Sequence, residues 1–446
     1  MTYQQALNYL ASLNTFGMRL GLSRIRRLTE LLGNPQESYR TIHVTGTNGK
    51  GSVSALTAAA LSASGVSTGI FTSPHLVLYN ERMRVNGKDI SDEDFARTLA
   101  RTRDAAEKMI DGGEESPTQF EVLTAAAFLY FAEQKVDYAV IEVGLGGLLD
   151  STNIIKPVAC AITNVTLEHA DMCGGTLAGV AEHKAGIIKD GIPVVTAAKG
   201  MPLGVIRRRA KQHNAPLYVM DEDFSAERLS QTPEGQIISF SAPAFSLPDW
   251  QYELSLAANY QVENSAVAAA LLAVLAQTDA RISMEAARGA FLRTTWPGRF
   301  ERMDMGAQKI VVDGAHNPAG VQALRESLDS AFPAEPRVFL LGILHDKAIE
   351  EMLDKLLRPE DTVVVTQPDS ARAEVAERLA DEVQKRAGNV TVEPDRERAL
   401  QCALSMAKDA VLCCTGSLYL IGELRAKILE GKETREHGGN GYAERN

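Results

Sequence analysis

Residues 42–55, "IHVTGTNGKGSVSA", set one lysine among glycines where a strand gives way to a helix. Ile42 and Val44 suit a buried strand, and Val53, Leu56 and Ala60 recur at helical spacing just beyond. Gly46, Gly49 and Gly51 allow the close backbone approach that turns successive N–H groups and a helix N-terminus toward a phosphate. Lys50 adds a mobile cation. The pattern G-x-x-x-x-G-K-[ST] is not met, because it would need glycine at Val44 and Gly51 separates Lys50 from Ser52. A phosphate pocket is the functional reading, and a tight turn joining strand to helix is the structural one.

Other apolar runs deliver chemistry at their ends. "GIFTSPHL" ends at Ser73, "DYAVIEVGLGG" puts Glu142 at a strand end, and "ACAITNVTLEHADM" leads to Glu168 and His169. In a doubly wound sheet the carboxyl ends of parallel strands share one edge, where ligands bind. A hydroxyl, a carboxylate and an imidazole beside the glycine loop suit a divalent ion that also takes phosphate oxygens. Taken singly, each also suits a turn, a solvated carboxylate or a structural histidine. Farther on, "KIVVDGAHNPAG" sets Asp313 and His316 after a strand, and "AVLCCTGSLYL" does the same for Gly416 and Ser417. Two sets of strand-end groups predict a cleft between two domains.

The elements that must position these residues alternate. From residue 40 short apolar strands, polar turns and amphipathic helices follow one another, which predicts an α/β fold with a doubly wound, mostly parallel sheet. The logic restarts after "TTWPGRFERMD", so a second, smaller α/β domain is expected, joined near Trp296, Pro297 and Gly298. Residues 222–255 have an irregular antiparallel character within the first domain, and the polar tail from 432 reads as disordered. At 446 residues the chain exceeds the roughly 250–300 residues at which single cores stop growing. The composition, 45% hydrophobic and 23% charged, is that of a folded globular chain. The net charge of -11 argues against a nucleic-acid or anionic-membrane surface. No basic leader or run of roughly 20 apolar residues is present, so a cytoplasmic protein is expected. The five cysteines have no zinc spacing and read as reduced and packed.

Taken together, "TGTNGKGS", "TSPHL", "ERMRVNG", "EVGLGG", "KAGIIK", "PGRFE", "DGAHNP" and "GSLYLIGELR", in this order along nearly the whole chain, resemble the folylpolyglutamate synthase and dihydrofolate synthase branch of the Mur ligases. The resemblance implies a P-loop-type ATP-binding central domain over residues 1–296 and a Rossmann-like glutamate-ligase domain over 297–431. It implies ATP on Asn48, Gly49, Lys50, Gly51, Ser52, Asn264, Arg299 and Asp313. Magnesium falls on Ser73, Glu142 and His169, with Lys184 matching a lysine that the family carbamylates to hold a second ion. Folate or pterin contacts fall on Thr118, Gln119, Phe120, Glu121, Leu149, Asp150 and Ser151. His316 and Ser417 match residues near the incoming glutamate and the transferred phosphate; with Lys50 and Lys184 they form the expected catalytic set. The implied reaction adds L-glutamate to the carboxylate of tetrahydrofolate through an acyl phosphate, releasing ADP and phosphate, in a monomer. Dihydropteroate stays open as a further substrate. Leu148, His183 and Glu168 stand where this family usually has arginine, glutamate and aspartate, which leaves a Mur-type ligase for another carboxylate as the alternative.

Overall fold

The computed structural model describes residues 1–13, 19–168 and 170–439. Strand β1 (Arg40–Thr45) is buried from Thr41 onward, as expected of a β-branched run covered on both faces. It is followed by β2 (Thr68–Phe71), β3 (Met83–Val85), β4 (Lys88–Asp89), β5 (Tyr138–Glu142), β6 (Ala159–Ile162), β7 (Val194–Thr196) and β8 (Leu217–Val219). These strands form one sheet in the order β4-β3-β2-β5-β1-β6-β7-β8. From β2 to β8 neighbouring strands are parallel, whereas β3 and β4 extend the β2 edge antiparallel. Because β5 and β6 flank β1, the strand order reverses at β1, and the carboxyl ends of these three strands open the crevice expected of such a sheet.

Helices cover both faces. On one, Leu10, Leu28, Phe95, Leu99, Phe128 and Phe131 pack with Phe71 and Ile141 of the sheet. Farther along that same face, Ala181, Ile187, Val205 and Ile206 pack with Cys160, Ile162 and Val194. The helix Gln119–Glu133 is buried from Glu121 to Phe131, which explains an apolar composition with no single stripe. Residues 225–254 form a separate antiparallel sheet of β9 (Ser225–Thr232), β10 (Gly235–Ser241) and β11 (Trp250–Leu254), in the order β11-β10-β9.

The chain divides into two compact units. The first comprises Met1–Arg228, Ile238–Leu254 and Val262–Thr294, and the second Leu229–Ile237, Ser255–Gln261 and Thr295–Asn446. The antiparallel excursion is therefore not wholly part of the first unit, since its 229–237 turn groups with the second.

In the second unit β12 (Glu301–Arg302), β13 (Lys309–Val312), β14 (Arg337–Leu341), β15 (Thr362–Val365), β16 (Asn389–Val392) and β17 (Val411–Thr415) form a sheet in the order β12-β13-β17-β14-β15-β16. Only β12 runs antiparallel to its neighbour. Beneath it Arg325 meets the buried Asp361 at 2.6 Å. The last helix, Leu418–Gly439, carries helical backbone into the segment expected to be a disordered tail, and residues 440–446 lie outside the described residues. All five cysteines are free thiols, and all but Cys402 are buried. Among the described residues no helix is long and apolar enough to cross a membrane.

Candidate active site

The glycine loop leaves β1 at Gly46 and enters the helix Lys50–Ala63 through Gly49, whose φ of 88° lies in the left-handed region. A β-carbon at Gly49 would collide with the Asn264 side-chain oxygen, and one at Gly46 with Thr163 Oγ1, so both positions require glycine for packing as well as for backbone conformation. The loop is latched to the segment after β6. Asn48 N donates to Asn164 Oδ1 at 2.9 Å, Thr163 Oγ1 donates to Asn48 O at 2.6 Å, and Thr47 N donates to Asn164 O at 2.8 Å. Lys50 Nζ folds back onto the loop, donating to Gly46 O at 3.1 Å and Thr47 O at 3.0 Å. Ser52 is buried in the first helical turn.

Beside this loop, Glu142 closes β5 in a buried position and its Oε2 accepts from Ser73 N at 3.1 Å. Lys184, on the helix Leu177–Ala185, is buried and donates from Nζ to Gly46 O at 2.7 Å. Burial, and then the charge of Lys50, push the Lys184 pKa down to about 7, against the opposing pull of Glu168 and Cys173. His169 lies outside the described residues. Among the described residues no group of three or more His, Cys, Asp and Glu is gathered to hold a metal ion. Glu142 offers a buried carboxylate and holds the backbone of Ser73, whose hydroxyl is also an oxygen donor of the kind magnesium takes, so this part of the donor set fits that ion. An unmodified Lys184 offers it no oxygen.

The residues expected at the acid substrate have intramolecular work. Thr118 and Glu121 form a capping box at the start of their helix: Thr118 Oγ1 accepts from Glu121 N, and Glu121 Oε2 accepts from Thr118 N at 2.7 Å. Glu121 also pairs with Arg24 at 3.1 Å. Gln119 Nε2 donates to Leu10 O at 3.0 Å and Tyr79 Oη at 3.1 Å, and Phe120 stacks on Phe71 and sits against Gly144. Asp150 is buried and accepts from Leu145 N at 2.8 Å and Thr152 N at 3.0 Å; Ser151 is buried beside Thr124 Oγ1. Leu148 and Leu149 are exposed apolar side chains on the same loop.

In the second unit Asp313 follows β13 and is buried. Tyr260 Oη and Phe300 N each donate to its Oδ2 at 2.7 Å, and Ala315 N donates to Oδ1 at 2.8 Å. Burial raises its pKa, while the Tyr260 hydrogen bond and the Arg299 charge pull it back. Arg299 Nη1 donates to Gly298 O at 3.0 Å. His316 Nδ1 is 2.7 Å from Gly314 O, which fixes the proton on Nδ1. Asn317 caps the helix Pro318–Ala331. Ser417 is buried at the start of the last helix and its Oγ accepts from Tyr419 N at 3.2 Å.

Comparison with known proteins decides the family. Residues 44–272 match the Mur ligase middle domain, and residues 298–418 match the Mur ligase glutamate ligase domain. The chain belongs to the Mur ligase family. Within it, this ligase is similar to the dihydrofolate synthase/folylpolyglutamate synthase of Bacillus subtilis, with 34% identity over 96% of this chain and 99% of the relative. It superposes on the folylpolyglutamate synthase of Thermotoga maritima with a TM-score of 0.85 at 34% identity, covering 96% of this chain and 97% of the other. It superposes equally, at 27% identity over 96% and 98% of the two chains, on E. coli FolC in complex with DHPP and ADP.

Sequence reasoning passed over several residues that shape the site of this Mur ligase. Asn164 and Thr163 hold the glycine loop, and their position directly after β6 was the available signal. Glu263 lies in the first turn of the helix Gln261–Ala276; burial raises its pKa, with Lys199 and a hydrogen bond to Asn164 opposing. Tyr260, the strongest side-chain partner of Asp313, had no motif to announce it.

Proposed function

We propose that this Mur ligase uses ATP to join L-glutamate to the carboxylate of a folate. The observation that carries the reading is the gathering of Lys50, Lys184 and the Ser73–Glu142 pair around the glycine loop at the β1 switch point. Its relatives over nearly the full chain, named for folylpolyglutamate and dihydrofolate synthesis, supply the substrate class.

A carboxylate is a poor acylating group, so the acid is first activated. One carboxylate oxygen attacks the γ-phosphorus, the bond from that phosphorus to the β,γ-bridging oxygen breaks, and ADP leaves. The glutamate amine then attacks the acyl carbon, the carbon–oxygen bond to phosphate breaks, and the amine loses a proton as the amide forms. The N–H groups of Asn48 to Ser52 and the Lys50 ammonium meet the phosphates. Magnesium, when held by Ser73, Glu142 and His169, offsets charge on the transferred oxygens. Lys184 is the residue for carbamylation, and its lowered pKa supports this, because the neutral amine is the form that reacts with carbon dioxide. Asn264, Arg299 and Asp313 are assigned to the nucleotide, and His316 and Ser417 to glutamate and the transferred phosphate.

Dihydropteroate is a second acid substrate under this reading, favoured by the DHPP bound to E. coli FolC and by the double name of the Bacillus relative. Mass analysis of products formed from ATP, magnesium and labelled glutamate, with dihydropteroate in one tube and tetrahydrofolate in another, tests both statements. Addition of one glutamate residue to each acid is expected. No folate- and glutamate-dependent ADP release would remove the reading, and product from tetrahydrofolate alone would remove the second substrate.

A further inference from the structure

Strand β1 carries, two residues before its end, a histidine that the nucleotide chemistry does not use. His43 is fully buried, and its Nε2 lies 2.9 Å from Thr152 Oγ1. The same hydroxyl lies 2.5 Å from Asp150 Oδ1. A hydroxyl has one proton to give. Asp150 receives backbone N–H groups from Leu145, Thr152 and Gly144, so it accepts throughout and takes the Thr152 proton as well. His43 must therefore donate from Nε2–H into the threonine lone pair. Nδ1 then carries the ring lone pair, which agrees with its being buried without a hydrogen-bond partner. The opposite tautomer would bury an N–H with no acceptor and turn the threonine proton away from a buried carboxylate, and each change is unfavourable.

A buried imidazole with one idle nitrogen is a poor filler. Leucine would occupy comparable space with no polar atoms to satisfy, so the value of His43 lies in its Nε2–H. What that proton secures is the loop from Gly144 to Asp150. This loop leaves β5 just after Glu142, is tied at Gly146 O by Thr45 Oγ1 at 2.7 Å, is tied at Leu148 N to His183 O at 2.7 Å, and turns Leu148 and Leu149 to solvent. Asp150 closes the loop across its base by holding Leu145 N.

We propose that His43 is a positioning residue which, through Thr152 and Asp150, sets the 144–150 loop as the apolar platform for the ring of the acid substrate. The identity of that ring rests on the function proposed above, whereas the anchoring of the loop does not. Nucleotide binding, carried by the glycine loop, is independent of this chain of hydrogen bonds.

The test uses the full chain with His43→Leu, His43→Gln and Thr152→Val, comparing amide hydrogen exchange at 144–152, KM for the folate acid, kcat, and ADP affinity by calorimetry. His43→Leu and Thr152→Val should speed exchange at Leu145 and Thr152 and raise KM for the acid by about tenfold, the size expected of one lost buried hydrogen bond. ADP affinity and kcat should stay within about twofold. His43→Gln, which keeps an N–H donor at the position of Nε2, should stay close to the wild type. The double variant His43→Leu/Thr152→Val should be no worse than Thr152→Val alone, because both act on one chain of bonds. The proposal is overturned by unchanged loop exchange in His43→Leu, by ADP affinity falling in step with acid KM, or by His43→Gln failing as badly as His43→Leu. Should His43→Leu not fold, Thr152→Val against His43→Gln makes the same comparison. If the wild type turns over no folate, the functional reading fails while loop exchange still decides the role of His43.

Discussion

Lys184 and Lys50, on different helices, both donate to the carbonyl oxygen of Gly46, at 2.7 and 3.1 Å. Two cations on one acceptor in a buried setting repel, and burial together with that repulsion brings Lys184 down to about 7. The unfolded chain would hold the Lys184 proton up to its ordinary pKa of about 10.4. Between about pH 7 and 10 the unfolded state therefore binds more protons than the folded one, and stability rises with pH. Below pH 7 both states are protonated and the contribution is level. Urea unfolding of the wild type against Lys184→Met should show a stability difference that moves in favour of the wild type with rising pH, by up to about 1.4 kcal/mol per pH unit. A difference that stays flat across this window would show that Lys184 keeps its proton.

Gly49 and Asn264 define a second expectation. Alanine at 49 must adopt a left-handed backbone, at a cost of about 1–2 kcal/mol, and must also displace the Asn264 side chain. Gly49→Ala should lower the melting temperature and weaken ADP binding by more than about tenfold. Adding Asn264→Ala should restore part of the melting temperature, since it removes the collision but leaves the backbone strain. Full recovery would place the whole effect in the collision.

Glu142→Gln keeps the volume and the hydrogen bond from Ser73 N but removes the anionic oxygen. The magnesium concentration for half-maximal turnover should rise by about tenfold or more, and Mn²⁺ binding followed by electron paramagnetic resonance should weaken in parallel. Unaltered Mn²⁺ binding would take Glu142 out of the metal site.

The Arg325–Asp361 pair should matter to folding alone. Both side chains are buried, and Asp361 also accepts from Arg358 N at 2.7 Å. Asp361→Asn leaves the Arg325 guanidinium with the half-exposed Asp329 at 3.0 Å as its remaining carboxylate partner and should cost about 2 kcal/mol in urea unfolding, while ligase activity per folded molecule is unchanged. Replacing both partners by leucine and methionine should cost less than the single change. A smaller loss from Asp361→Asn than from the double replacement would contradict this account.

Thr118 and Glu121 show how one legible pattern can carry two readings. T-x-x-E ahead of an apolar run is a helix-start signature, and the structure uses it as one. The resemblance had offered the same four residues as substrate contacts, and two of them are committed to the cap.

By itself the sequence determined the strand–glycine–helix unit at 42–55, the alternation that builds two parallel-dominated sheets, and the residues standing at strand ends. These depend on local backbone preference and on burial periodicity, both of which are written in neighbouring residues. Only the tertiary structure decided which distant residues meet. Lys184 reaches Gly46 across 138 positions, and His43 reaches Thr152 across 109. Those meetings follow from the order of strands around β1, with β5 on one side and β6 on the other, and no local pattern encodes that order. The tautomer of His43, the depressed pKa of Lys184 and the latch from Asn164 to the glycine loop arise there, because hydrogen-bond partners and desolvation are properties of the packed neighbourhood.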